Sequence, residues 1–166
     1  MSKKVARMGV FIALAMIFSY IEVLIPFNFG IPGVKLGIAN IVTVTSLYVF
    51  STGEAFGISV IRIVLMGILF GNGMSLLYSL AGGLLSFLAM WIGKRTSWFS
   101  VMGVSVAGGV FHNVGQILAV MLVMKKTMFV AYLPVLFVAG VVTGYLIGLL
   151  ANKIIELLPH HLQRRF

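Results

Sequence analysis

Residues 101–124 read VMGVSVAGGVFHNVGQILAVMLVM, twenty-four consecutive positions without one charged side chain. At about 1.5 Å per residue a helix of this length crosses the roughly 30 Å hydrocarbon core of a bilayer. Comparable apolar runs lie on either side. We read spans over residues 5–25, 36–50, 55–70, 75–92, 101–124 and 128–152. They are separated by Pro26 to Lys35, Ser51-Thr52-Gly53-Glu54, Gly71-Asn72-Gly73, Gly93 to Ser100 and Lys125-Lys126-Thr127. The pattern predicts an all-α integral membrane protein, a six-transmembrane-helix bundle forming a single membrane domain over residues 1–166.

Composition leads to the same class. The chain is 61% hydrophobic and only 9% charged, whereas a soluble domain carries about 25% charged residues to face water. Six spans and their loops use nearly all 166 residues, so no soluble domain of useful size is expected. Lys3, Lys4 and Arg7 precede the first run as in a signal peptide, and Ala13-Leu14-Ala15 offers a small-x-small step. Apolar segments nevertheless continue to Asn152, so the first run is read as a retained helix. There is no cysteine, which excludes disulfides, cysteine-ligated metal and thiol nucleophiles. There is no aspartate either, and the acids are Glu22, Glu54 and Glu156. The net charge of +9 fits lysines and arginines anchoring helix ends at anionic head groups better than nucleic-acid binding.

An alternative division at Arg62 would make two long helices of residues 36–61 and 63–93, giving five spans. The basic residues would then fall evenly, six to a side. With six spans, Lys3, Lys4, Arg7, Lys94, Arg95, Lys153, Arg164 and Arg165 share one side. Lys35, Lys125 and Lys126 occupy the other, and Arg62 stays within the bilayer. This bias obeys the positive-inside tendency and puts both termini in the cytoplasm.

Glycine recurs at four-residue spacing, as in Gly140, Gly144 and Gly148, in Gly67 with Gly71, and in Gly103 with Ala107. Small residues let helix backbones approach closely in lipid. Most such stripes are expected to pack within the bundle, while Gly9 with Ala13 on the first helix is assigned to a partner.

Polar groups in hydrocarbon are costly and mark candidate sites. His112-Asn113-Val114-Gly115-Gln116 lies mid-span, and His112 and Gln116, one turn apart, share a face. The motif serves either a ligand or proton site, or a hydrogen-bond clamp between helices. Arg62 needs an anion, carbonyls or water; it either pairs with Glu22, the acid nearest its level, or holds an anionic ligand. Ile31-Pro32-Gly33-Val34-Lys35-Leu36-Gly37-Ile38-Ala39-Asn40 leads an outer loop into the second helix. Free amides and Lys35 there suit a phosphate or carboxylate, or else Lys35 snorkels to water. Asn72, Ser75, Tyr78 and Ser79, near the outer start of the fourth helix, complete a polar rim. Tyr20, Phe27, Phe29, Trp91, Trp98 and Tyr132 form an aromatic belt, unless Phe27 and Phe29 cover a flat ligand. No catalytic residue and no metal ligand set is assigned, and no Walker loop, nucleophile elbow or carboxylate pair occurs.

Pro32-Gly33-Val34-Lys35-Leu36-Gly37-Ile38-Ala39-Asn40, Phe70-Gly71-Asn72, Tyr78-Ser79-Leu80-Ala81-Gly82-Gly83 and His112-Asn113-Val114-Gly115-Gln116 together resemble a bacterial family known both as heptaprenyl diphosphate synthase component I and as Gx transporter. More distantly the chain is similar to the S components of energy-coupling factor transporters. That resemblance implies a six-helix bundle in the bacterial cytoplasmic membrane, with a ligand pocket open to the outside. It further implies docking of the first helix, at Gly9 and Ala13, on a T subunit driven by two ATPases. Lys35, Asn40, Arg62, Tyr78, Ser79, His112, Asn113 and Gln116 are the ligand-binding candidates. The family's association with extracellular electron transfer implies flavin or quinone as a possible cofactor and a flavoprotein as an alternative partner. Prenyl diphosphate synthesis binds Mg²⁺-diphosphate through clustered aspartates. A chain without aspartate is therefore expected to be no enzyme of that kind, and an accessory role in isoprenoid or quinone synthesis stays open.

Overall fold

Three short polar turns set the helix starts. Glu54 Oε2 accepts the Ser51 amide at 3.1 Å, and Ser100 Oγ accepts the Gly103 amide at 3.2 Å. Asn72 Oδ1 accepts the Ser75 amide at 2.8 Å, while Ser75 Oγ accepts the Asn72 amide at 2.9 Å. Such reciprocal caps satisfy amides that a helix start leaves unpaired. The computed structural model describes residues 2–24 and 37–159. Those residues form α1 (Ser2–Leu24), α2 (Asn40–Val49), α3 (Thr52–Phe70), α4 (Gly73–Arg95), α5 (Val101–Met124) and α6 (Leu133–Leu157), with a 3-10 turn over Thr127–Tyr132 before α6. No strand occurs among the described residues.

Five of the helices, all but α2, are long and apolar enough to cross a membrane. The chain is thus a membrane-embedded helical bundle. The span expected over residues 36–50 is a helix of ten residues, about 15 Å of rise and half a bilayer core. Its apolar composition could not reveal this, because all ten of its residues are buried by protein and its length is not set by lipid. The division at Arg62 does not occur: α3 runs unbroken through that residue. Expected boundaries elsewhere differ by a few residues, since the capping turns at Ser51 and Asn72 begin α3 and α4 earlier than apolar character alone indicates.

Contacts at each end fix how the helices alternate. Lys4 pairs with Glu54, joining the starts of α1 and α3. Phe11 and Phe50 meet edge to face at 4.9 Å, so the end of α2 lies beside them. Lys94 joins this end too, donating from Nζ to the Leu47 carbonyl at 2.6 Å with its ammonium 4.6 Å from the Tyr48 ring. A cation on the last carbonyls of α2 satisfies groups the helix leaves open and complements its dipole. At the opposite end Tyr20 of α1 packs on Phe70 of α3 at 4.9 Å, near the α3–α4 turn.

α5 packs closely against both α4 and α6. A Cβ added at Gly144 would stand 2.7 Å from Val106 Cα, and one at Gly115 would stand 2.7 Å from the Ala81 carbonyl oxygen. Both are backbone contacts that no larger residue tolerates, so the Gly140–Gly144–Gly148 stripe serves the bundle itself. α2 is wedged between this layer and the α1–α3 pair, with Val44, Leu47 and Tyr48 against Phe87, Met90, Val104, Ala151 and Ile155. Two of its hydroxyls bond within the helix: Thr45 Oγ1 donates to the Ile41 carbonyl at 2.7 Å and Ser46 Oγ to that of Thr43 at 2.8 Å. Burial away from water therefore leaves them satisfied.

Candidate functional site

Where α1 ends, α2 begins and α3 turns into α4, the bundle holds a cavity of about 390 Å³. That volume lies within the range of small-molecule sites, about 300–1,000 Å³. α1 supplies Ser19 and Glu22, the approach to α2 supplies Gly37 and Asn40, and α3 supplies Arg62, Met66 and Phe70. Asn72, Ser75 and Ser79 come from the α3–α4 turn and α4, and His112 comes from the middle of α5.

Arg62 is the cationic group of this wall. One of its terminal nitrogens donates to Ser19 Oγ at 3.3 Å, while its buried Nε has no hydrogen-bond partner among the described residues. Glu22, one helical turn beyond Ser19, accepts the Gly37 amide on Oε1 and also acts electrostatically on Arg62. Gly37 has φ +70°, a left-handed conformation that favours glycine. The chain then enters α2 through tight turns, with the Asn40 amide donating to the Gly37 carbonyl at 2.8 Å. A narrow void of about 10 Å³ lies beside the cavity, lined by Asn40, Ser105, His112, Asn113 and Thr143.

Four of the sequence-derived candidates therefore come together: Asn40, Arg62, Ser79 and His112. Three others, Tyr78, Asn113 and Gln116, do not line that wall. Asn113 donates from Nδ2 to the Leu136 carbonyl at 2.8 Å and ties α5 to α6. Gln116 is buried against Gly82 of α4. The Tyr78 hydroxyl is buried in the bundle, without a hydrogen-bond partner among the described residues. Lys35 lies outside the described residues, as do Phe27 and Phe29. Within one short motif the side chains diverge, because successive helical positions turn by about 100°. Asn113 faces α6, while His112 and Gln116, one turn apart, both lie against Gly82 of α4, and His112 also reaches the cavity wall.

The sequence reading missed Ser19 as a wall residue. Its signal was present: a small hydroxyl one turn from the acid Glu22, on the apolar part of that helix. Gly9 and Ala13 are exposed on α1, and a Cβ built on Gly9 meets nothing within 4 Å. Among the described residues no group of three or more His, Cys, Asp or Glu side chains is placed to hold a metal ion.

Fold and cavity together define a helical membrane protein with a polar, partly charged hollow at one end of its bundle. The family model for heptaprenyl diphosphate synthase component I matches residues 11–154, and the chain belongs to that family. No curated protein and no solved structure matches it.

Proposed function

We propose that this protein is a binding subunit that receives a small anionic or amphipathic ligand from the outer face of the bacterial cytoplasmic membrane, and that it works in uptake with partner subunits. The observation that carries this reading is the partly satisfied Arg62 guanidinium on the wall of a ligand-sized cavity. A buried guanidinium favours carboxylate or phosphate, which it can engage through two parallel hydrogen bonds. His112, Asn40 and Ser79 supply further donors and acceptors to orient the rest of the molecule.

Charge supports an outward opening of the cavity. Lys3, Lys4, Arg7, Lys94, Arg95 and Lys153 lie toward the end opposite the cavity, which the positive-inside tendency assigns to the cytoplasm together with both termini. The open face of α1 around Gly9 and Ala13 offers small-residue packing to a membrane partner, such as a T subunit driven by ATPases. This reading takes the chain as a binding or accessory subunit rather than the catalyst of prenyl diphosphate synthesis, since it has no aspartate and Mg²⁺-diphosphate chemistry needs several oxygen ligands.

Native mass spectrometry of the detergent-extracted chain tests the reading. The expected result is a co-purifying small molecule bearing a carboxylate or phosphate, lost from Arg62→Gln. A ligand fully retained by that variant would overturn it. Recovery of a flavin or quinone would instead carry the alternative reading of a subunit for extracellular electron transfer or quinone synthesis.

A further inference from the structure

The anion seat of the cavity is not open. Ser19 and Glu22 are three residues apart on α1 and therefore share a face. Arg62 reaches that face through its 3.3 Å bond to Ser19 Oγ. Glu22 meets the Gly37 amide from the same face, and all four residues line one cavity. A backbone amide donating to a carboxylate, with a guanidinium near enough to act on it electrostatically, is the kind of setting that binds a carboxylate or phosphate.

We propose that Glu22 is a built-in occupant of the ligand's anion seat, which a carboxylate or phosphate ligand must displace from Gly37 and Arg62 to bind. This rests on the cavity being a binding site for anions and adds how that site is regulated. Two anions beside one guanidinium in a poorly hydrated hollow repel each other strongly. Glu22 therefore weakens ligand binding and keeps Arg62 neutralised while the cavity is unoccupied. Displacement has a structural consequence as well. The Glu22–Gly37 bond joins the end of α1 to the approach of α2, so occupancy is felt by α1, the helix whose outer face is open to a partner.

The test uses the full chain in detergent micelles and two small probes, 4-fluorobenzoate and monofluorophosphate, titrated by ¹⁹F NMR. They separate carboxylate from phosphate chemistry. Glu22→Gln keeps a carbonyl for the Gly37 amide but removes the charge. It should bind at least one probe about tenfold more tightly than wild type, and adding Arg62→Gln should abolish the gain. Unchanged or weaker binding by Glu22→Gln overturns the displacement proposal, and a weaker result marks Glu22 as a residue that positions Arg62 and the Gly37 amide. Binding that survives Arg62→Gln, or binding of neither probe by either protein, overturns the anion-site reading itself. A second measurement needs no substitution at Glu22. Infrared difference spectra of wild type labelled with ¹³C-glutamate should show a carboxylate band shifting on saturation with the bound probe, and no shift overturns the proposal.

Discussion

Replacing Gly144 with alanine adds one methyl group where α5 and α6 meet backbone to backbone. The new Cβ would stand 2.7 Å from Val106 Cα and 3.0 Å from the Ser105 carbonyl oxygen. Both are backbone atoms, and no rotamer change can relieve them. The helices must part by about 1 Å to restore an ordinary carbon–carbon separation of about 3.5–4.0 Å. Overpacking of this kind costs about 1–3 kcal/mol. The same interface holds the Asn113–Leu136 bond at 2.8 Å, and its weakening adds about 0.6–1.7 kcal/mol. The variant should therefore lose about 2–4 kcal/mol in total. Gly9→Ala is the matched control, since a Cβ there meets nothing within 4 Å and alanine gains up to about 1 kcal/mol in helix propensity. Denaturant unfolding in mixed micelles, followed by the fluorescence of Trp91 and Trp98, measures the difference. Equal stability of the two variants would refute the claim that the glycine stripe sets the α5–α6 separation.

Other consequences can be measured with the same preparation. Lys94→Met removes a charged hydrogen bond and a cation–π contact at the end of α2; it should destabilise the bundle by about 2–4 kcal/mol, with Lys94→Arg recovering part of the loss. Asn113→Ala should cost about 1–2 kcal/mol of stability and leave anion binding near wild type, whereas His112→Ala should weaken binding with little effect on unfolding; the reverse pattern would exchange the roles of clamp and cavity wall. Because the chain has no cysteine, single replacements report topology cleanly: an impermeant maleimide should label Asn72→Cys on intact cells and Trp98→Cys only after permeabilisation. Both positions labelling on intact cells would remove the basis for an outward-facing cavity.

The sequence showed the crossing elements because lipid constrains them directly. α5 ends where its uncharged run does, just before Lys125, and Gly71-Asn72 forms the α3–α4 turn. α2 was misjudged for the opposite reason. Its environment is other helices, so its apolar run carries no imprint of bilayer thickness. The Ser51-to-Glu54 spacing is a capping-box signature, and reading it as a loop delayed the start of α3. Lys94 counted as an interfacial cation, yet it is only 7% exposed, because the open carbonyls at the end of α2 draw it inward. Among the polar residues, position within apolar spans singled out Arg62, His112 and Asn113. Which of them share a hollow depends on helix rotation and on which neighbour each meets, and that information lies in the packing of six helices rather than in any one segment.

The complete burial of α2 bears on how the chain is made. A helix of ten residues is about half the length needed to partition into a bilayer unaided, and its Asn40, Thr43, Thr45 and Ser46 would meet lipid unfavourably during synthesis. Its shelter includes α6, a helix that leaves the ribosome long after α2. Insertion therefore cannot finish segment by segment: the second helix settles only when the sixth arrives, and truncation before α6 should leave a nascent protein open to membrane quality control.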